Sequence, residues 1–344
     1  MRHSHPAPIR VLAALAAVVA VSATLAAGQN ATPAANKAQA LKTAWGDPDL
    51  QGRWTNTTTT PLERPAKLAG KQVLTPEERA QLDAASGRDY TPQAGDPGAY
   101  NRFWTEPGTA SAQTSLIVDP PDGKLPSFTP EAKKYADALE ALRRPERPAS
   151  WVELNPYDRC LTRGMPGAMM PGFYNHNYQI LQTPTYVAIL IEMIHDVRII
   201  PLDGRPHVGA GLRQWMGDSR GRWEGQTLVV ETTRFTDKIR EFSGHAQRLP
   251  NGDRVGTYYG SFGTPTLTLV ERFTRVDADT IDYRFTVTDP ATFTGSWTAS
   301  IPMRKVQEPI FEYACHEGNK AVPHVLSAAR AQERAEAQKS TRPQ

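Results

Sequence analysis

The chain has 344 residues, with 39 Lys and Arg against 36 Asp and Glu, and a formal net charge of +3. Both signs of charge are interspersed, which excludes the basic face of a nucleic-acid binder and the basic amphipathic helix of a membrane-surface protein. The length exceeds an ordinary domain, although a decorated all-β unit absorbs it.

The N-terminus reads as a processing signal. Arg2 and Arg10 form a positive region, Val11 to Ala26 is apolar, and Ala26-Ala27-Gly28 supplies small residues. This pattern predicts a signal peptide over residues 1–28, cut near Gln29. The alternative is a membrane anchor. The run is shorter than the ~20 residues of a spanning helix and is rich in Ala, which favours cleavage and leaves no membrane span in the mature chain. No Cys follows for lipid attachment. A periplasmic or secreted location is expected, with residues 29–44 as a disordered lead. Residues 45–326 follow as one domain, and 327–344 as a polar helical or disordered tail.

From Trp45 to Trp151 the sequence is rich in Pro, Thr and Gly. Thr75-Pro76-Glu77-Glu78 is a capping box that opens a short helix, and Thr129-Pro130-Glu131 opens a second running to Leu142. Ser115 to Val118 reads as extended and breaks at Asp119-Pro120-Pro121-Asp122-Gly123. This half is expected to wrap over the rest. Strands follow at 179–182, 186–193, 197–202, 213–216, 226–233, 266–274, 280–288 and 297–303. Ile281, Tyr283, Phe285 and Val287 alternate with polar residues, and Trp297, Ala299, Ile301 and Met303 do the same, so each strand buries one face. Antiparallel strands with short turns and no intervening helices predict a mainly β fold, either a closed barrel or a sandwich.

Two resemblances sharpen this. Gly52-Arg53-Trp54 resembles the opening of a lipocalin, which implies a closed antiparallel barrel with Trp54 plugging one end. The strings Ser115–Gly123 (SLIVDPPDG), Leu202–Pro206 (LDGRP), Gly217–Thr232 (GDSRGRWEGQTLVVET) and Glu312–Asn319 (EYACHEGN) resemble a widespread family of secreted bacterial proteins. That resemblance implies one integrated exported unit and transfers no catalytic residue.

Cys160 and Cys315 are the only cysteines. In an exported chain an even count is most simply one disulfide, with two buried thiols as the alternative. A bond there would pin His316 and Glu317 and bring Arg159, Arg163, Tyr174, Asn175, His176 and Asn177 near.

Chemistry concentrates where the apolar run from Tyr186 passes into Glu192, His195, Asp196 and Arg198. Buried charges must be paired, and such clusters are how acid–base sites are built. Ile194-His195-Asp196-Val197 is expected as a hairpin turn, with His195 at a barrel mouth. Glu271 is in phase with Leu267, Leu269 and Phe273, so it points inward, either as an acid–base group or as a partner of Arg198. Glu231 is expected to point outward if Leu228 is core. The catalytic candidates are therefore His195, Glu271 and His316. Arg198, Tyr313, Glu192, Tyr174, His176 and Trp223 are the binding candidates. Aromatic residues flank these clusters, among them Phe103, Trp104, Trp151, Phe173, Tyr178 and Trp215, and suit an aromatic, terpenoid or glycosidic ligand. The expected activity is that of a cofactor-independent lyase, isomerase or hydrolase. A non-catalytic carrier or interaction module is one alternative. A His-rich metal protein drawing on His176, His195, His207 and His316 is another, although no metal-binding spacing is present.

Overall fold

Twelve strands dominate the described residues, and ten of them form one antiparallel sheet. These are β1 (Gly52–Thr55), β2 (Ile117–Asp119), β3 (Asn177–Gln182), β4 (Tyr186–Ile191), β5 (Val197–Pro201), β6 (Asp218–Glu224), β7 (Thr227–Thr233), β10 (Thr268–Arg275), β11 (Thr280–Thr288) and β12 (Trp297–Val306). The hydrogen-bonded order is β5-β4-β3-β1-β12-β11-β10-β7-β6, with β2 added on β12. The remaining pair, β8 (His245–Arg248) and β9 (Arg254–Thr257), forms a separate hairpin that the sequence reading missed. This computed structural model describes residues 41–86, 106, 108–142, 148–154, 156–172, 174–238, 245–248, 254–257 and 264–340. The expected signal peptide, residues 29–40 of the lead, and Phe103, Trp104 and Phe173 lie outside those residues.

The period-two pattern determines what the sheet buries. Ile281, Tyr283, Phe285 and Val287 on β11 face Met303, Ile301, Ala299 and Trp297 on β12, residue for residue, and all are buried. Phe273 stacks on Tyr283 with centroids 4.7 Å apart, and Trp297 meets Phe285 edge-on at 5.4 Å. Trp54 of the Gly-x-Trp string is fully buried in β1, which joins β3 to β12. Its indole N–H donates to the Leu50 carbonyl at 3.0 Å, so the ring is a fixed core residue with its polar atom satisfied.

The sheet is not closed by hydrogen bonds. No ladder joins β5 to β6 among the described residues, and only side chains cross between these two edges. Arg198 reaches Ser219 at 3.5 Å, and a Cβ on Gly221 would stand 2.9 Å from Ile200 Cγ2. The expected strand at 213–216 is a loop: Gln214 makes an isolated bridge to Phe235, just past the end of β7, and Met216 packs against the core. Glu231 is half-buried and, like Val229, alternates with the core residues Leu228 and Val230.

Both N-terminal helices start where their caps are written. In α1 (Pro76–Ser86) the Thr75 and Glu78 side chains accept from each other's backbone N–H at 3.2 and 2.8 Å. In α2 (Pro130–Leu142) the Ala132 N–H donates to Thr129 Oγ1 at 3.1 Å. A third helix, α3, covers Ala321–Ser340. No described helix is long and apolar enough to cross a membrane.

Candidate functional site

The run out of β4 does not continue as strand to Met193. It ends at Ile191 and turns through a single 3-10 turn, Met193–His195, in which Ile194 (φ 64°) and His195 (φ 56°) are both left-handed. A β-branched residue in that region is a true outlier, costing on the order of 1–3 kcal/mol, and such strain persists only where the surroundings over-determine it. Three other described non-glycine residues are left-handed: Cys160 (φ 55°) and Asn175 (φ 54°), which belong to this neighbourhood, and Arg234 (φ 61°), which follows β7. Cys160 is bonded to Cys315 across 155 residues. The bond fixes the next residue, His316, so that its ring lies beside that of His195, centroids 5.5 Å apart and tilted by 35°. Both imidazoles are exposed.

Behind the pair stands a polar wall. Glu192 is buried, and its carboxylate accepts from Asn177 Nδ2 at 2.7 Å, Asn175 Nδ2 at 3.3 Å and the Phe311 N–H at 3.1 Å. The Tyr157 and Tyr174 hydroxyls lie 3.2 Å apart. Burial, with Tyr174 and Tyr313 alongside, pushes the Tyr157 phenol well up, so it stays protonated and available as a donor. Burial also raises the Asp196 carboxyl, against the Thr162 hydroxyl that donates to it at 2.9 Å.

His176 is buried. Arg163 Nη1 stands 3.0 Å from its Nε2, and burial followed by the Arg163 charge holds the imidazole far below its usual range, so His176 is neutral and Nε2 accepts. The unfolded chain therefore takes up a proton below about pH 6.5 that the folded chain refuses. Stability is full above that pH and falls toward the depressed folded value, by at most about 1.4 kcal/mol per pH unit. Urea midpoints from pH 7.5 to 5 are expected to show this slope, and His176→Gln is expected to flatten it; an unchanged slope would contradict the assignment. Gly172 is required by the same ring, since a Cβ there would lie 1.8 Å from His176 Nε2. Gly172→Ala is expected to lose about 1–3 kcal/mol by overpacking, read from the denaturation midpoint.

The other candidates separate. Glu271 is fully buried, and Arg198 grips it through Nη1 at 2.9 Å and Nη2 at 2.5 Å, while Tyr283 donates at 2.9 Å. Burial is the largest single influence and would lower Arg198, but the Glu271 charge and hydrogen bonds, with Tyr283 and Asp196, together hold the guanidinium above its ordinary value. A carboxylate with three donors and no access to solvent carries no proton to a ligand, so Glu271 and Arg198 serve the core, not the site. Trp223 sits at the β6–β7 turn, packed on the core. Thr162 bonds both Asp196 and Met216, so the site lies beyond the other end of β6, about 15–20 Å along the strand from Trp223. Trp223 is thus set apart from the His195–His316 pair.

His207 is held elsewhere. Its Nδ1 is 2.8 Å from Asp218 and its Nε2 is 3.3 Å from Glu231. Burial works against the Asp218 charge, but the Val208 N–H, His207 and Arg220 together hold its carboxyl below the usual range. The four histidines therefore do not converge, and no group of three or more His, Cys, Asp or Glu is placed to hold a metal among the described residues. Tyr157 escaped the sequence reading, although it lies one turn before Cys160. The hairpin turn at Ile194-His195-Asp196-Val197 lies where the sequence places it, but its left-handed backbone had no signal, because a β-branched residue such as Ile194 disfavours that region.

No family model, no curated protein and no solved structure matches this chain.

Proposed function

We propose that this is an exported protein that binds a small aromatic, terpenoid or glycosidic molecule at the disulfide-pinned end of the sheet and acts on it by acid–base chemistry. The observation that carries the proposal is the meeting of His195 and His316. One is aimed by a strained turn and the other by a disulfide, at the rim of a wall rich in phenols and amides. Imidazole is the side chain whose ordinary pKa suits proton transfer near neutrality. Asn175 and Asn177, whose amide N–H groups are held by the buried Glu192, would accept from ligand hydroxyls through Oδ1, and Tyr174 and Tyr313 would orient a ring. The reaction is that of a lyase, isomerase or hydrolase.

We read the sheet as a lipocalin-like barrel whose last seam, β5 against β6, is bridged by Arg198 reaching Ser219 and by Ile200 beside Gly221, while Arg198 also reaches Glu271 on β10. The disulfide supports an oxidising compartment, periplasmic or extracellular, in keeping with the leader sequence and with the secreted bacterial family it resembles.

Glu271's engagement in the core favours one competing reading, a non-catalytic carrier. Thermal shift against phenols, monoterpene alcohols and methyl glycosides, followed by product analysis, separates the two. The proposal expects at least one stabilising compound that is turned over. His195→Asn and His316→Asn should keep its affinity within about threefold and lose 100-fold or more in rate. Affinity lost in both variants with no turnover in the parent would establish the carrier instead. A panel with no stabilising compound would overturn both.

A further inference from the structure

We infer that His195 and His316 together bind one divalent transition metal ion, with water completing its coordination. The inference rests on the same end of the sheet being functional and goes further, naming a cofactor class: with an ion bound, His195 and His316 would be its ligands, and metal-bound water rather than a free imidazole would carry the proton.

Geometry is the first argument. With metal–nitrogen bonds of about 2.0–2.1 Å and a tetrahedral angle, two imidazoles on one zinc ion stand roughly 5 Å apart between centroids. The observed 5.5 Å is within a small side-chain adjustment of that arrangement. Both rings are exposed, so an ion and its waters can reach them.

Preorganisation is the second. The two histidines come from segments 121 residues apart, yet neither is left on a free loop. His195 is the second of two consecutive left-handed residues, and His316 follows a cysteine locked to Cys160, itself left-handed. A strained turn on one side and a disulfide on the other fix the two backbones that present the imidazoles, and a fixed backbone is what a ligand set for an ion requires.

The third argument is chemical selectivity. A ligand set of two neutral imidazoles and water suits zinc, cobalt, nickel or copper and disfavours magnesium and calcium, which demand oxygen. Among the described residues no lysine or arginine hydrogen-bonds or ion-pairs with either imidazole, whereas His207 is engaged by Asp218 and Glu231.

The test is calorimetric titration of the full chain with zinc chloride. His3→Ala and His5→Ala form the background, so that the leader imidazoles do not contribute. The inference expects one zinc per chain. His195→Ala and His316→Ala should each weaken binding at least tenfold, while His207→Ala leaves it unchanged and magnesium chloride gives no heat. Circular dichroism on the same samples confirms folding, which substitution of exposed rings should preserve. Unchanged zinc affinity in either single variant, equal loss in His207→Ala, or no binding at millimolar zinc would overturn it. The two readings fail separately. A compound from the thermal-shift panel bound and turned over in chelator, with no zinc uptake, removes the metal and leaves the proposed function. Zinc bound by the pair with no compound bound does the reverse.

Discussion

Replacing Glu271 with Leu is expected to cost about 3–5 kcal/mol of folding stability, because it strands the Arg198 guanidinium in the core with no counter-charge. The pair sits at 2% and 0% side-chain exposure, where a lone charge can neither find water nor be screened. The double variant Arg198→Met/Glu271→Leu is expected to recover most of that loss. A buried pair exchanged for packed apolar groups is often neutral or stabilising, since the desolvation of both ions disappears together. Urea denaturation of the parent, both singles and the double closes the cycle. The double variant also settles Glu271's role. If Glu271 belongs only to the core, turnover of any substrate found should stay within about threefold of the parent. A fall of 100-fold or more would put the carboxylate back among the proton carriers.

Cys160→Ser/Cys315→Ser is the second large effect. Removing a cross-link that spans 155 residues returns, by the chain-entropy argument, about 5 kcal/mol of disorder to the unfolded state, as an upper value. The functional consequence is more specific. His316 follows Cys315 directly, in a segment with few buried residues of its own: Phe311, Glu312, Ala314, His316 and Glu317 are all exposed. Without the bond the segment should detach from the Met193–His195 turn while the sheet persists. Far-ultraviolet circular dichroism is expected to stay close to the parent at 25 °C, with zinc affinity falling at least tenfold. Loss of the sheet signal under those conditions would show that the bond holds the core and not merely the site.

These two effects also show where the sequence was legible. Strands β10, β11 and β12 could be placed because alternation leaves no freedom once one face is buried: a slip of one residue would expose Tyr283, Phe285 and Trp297 together. The same phase argument turned Glu271 inward. The cysteine count and the export signal suggested the disulfide, which in turn predicted that Tyr174, Asn175 and His176 would gather near His316. What could not be read is equally physical. Whether β5 and β6 share a ladder depends on twist and on how Arg198 fills the space between them, neither of which has a sequence period. Glu271 as acid and Glu271 as ion-pair partner predict the same inward phase, so only the position of Arg198 separates them. The left-handed Ile194-His195 turn contradicts local preference, and a turn of that kind is set by its surroundings. Trp223 reads in the sequence as one of the aromatic residues flanking the charged clusters, but a strand seven residues long carries its two ends to different places.

The central claim is that His195 and His316 act as one site. Its most direct test is nuclear magnetic resonance of the full chain with carbon-13-labelled histidine side chains, titrated with the most stabilising compound of the thermal-shift panel. Signals are assigned through His195→Gln and His316→Gln. The imidazole signals of His195 and His316 are predicted to move together along one saturation curve, with His207 unmoved. Movement of His207 with both members of the pair stationary, or shifts of His195 and His316 that saturate at different concentrations, would contradict it.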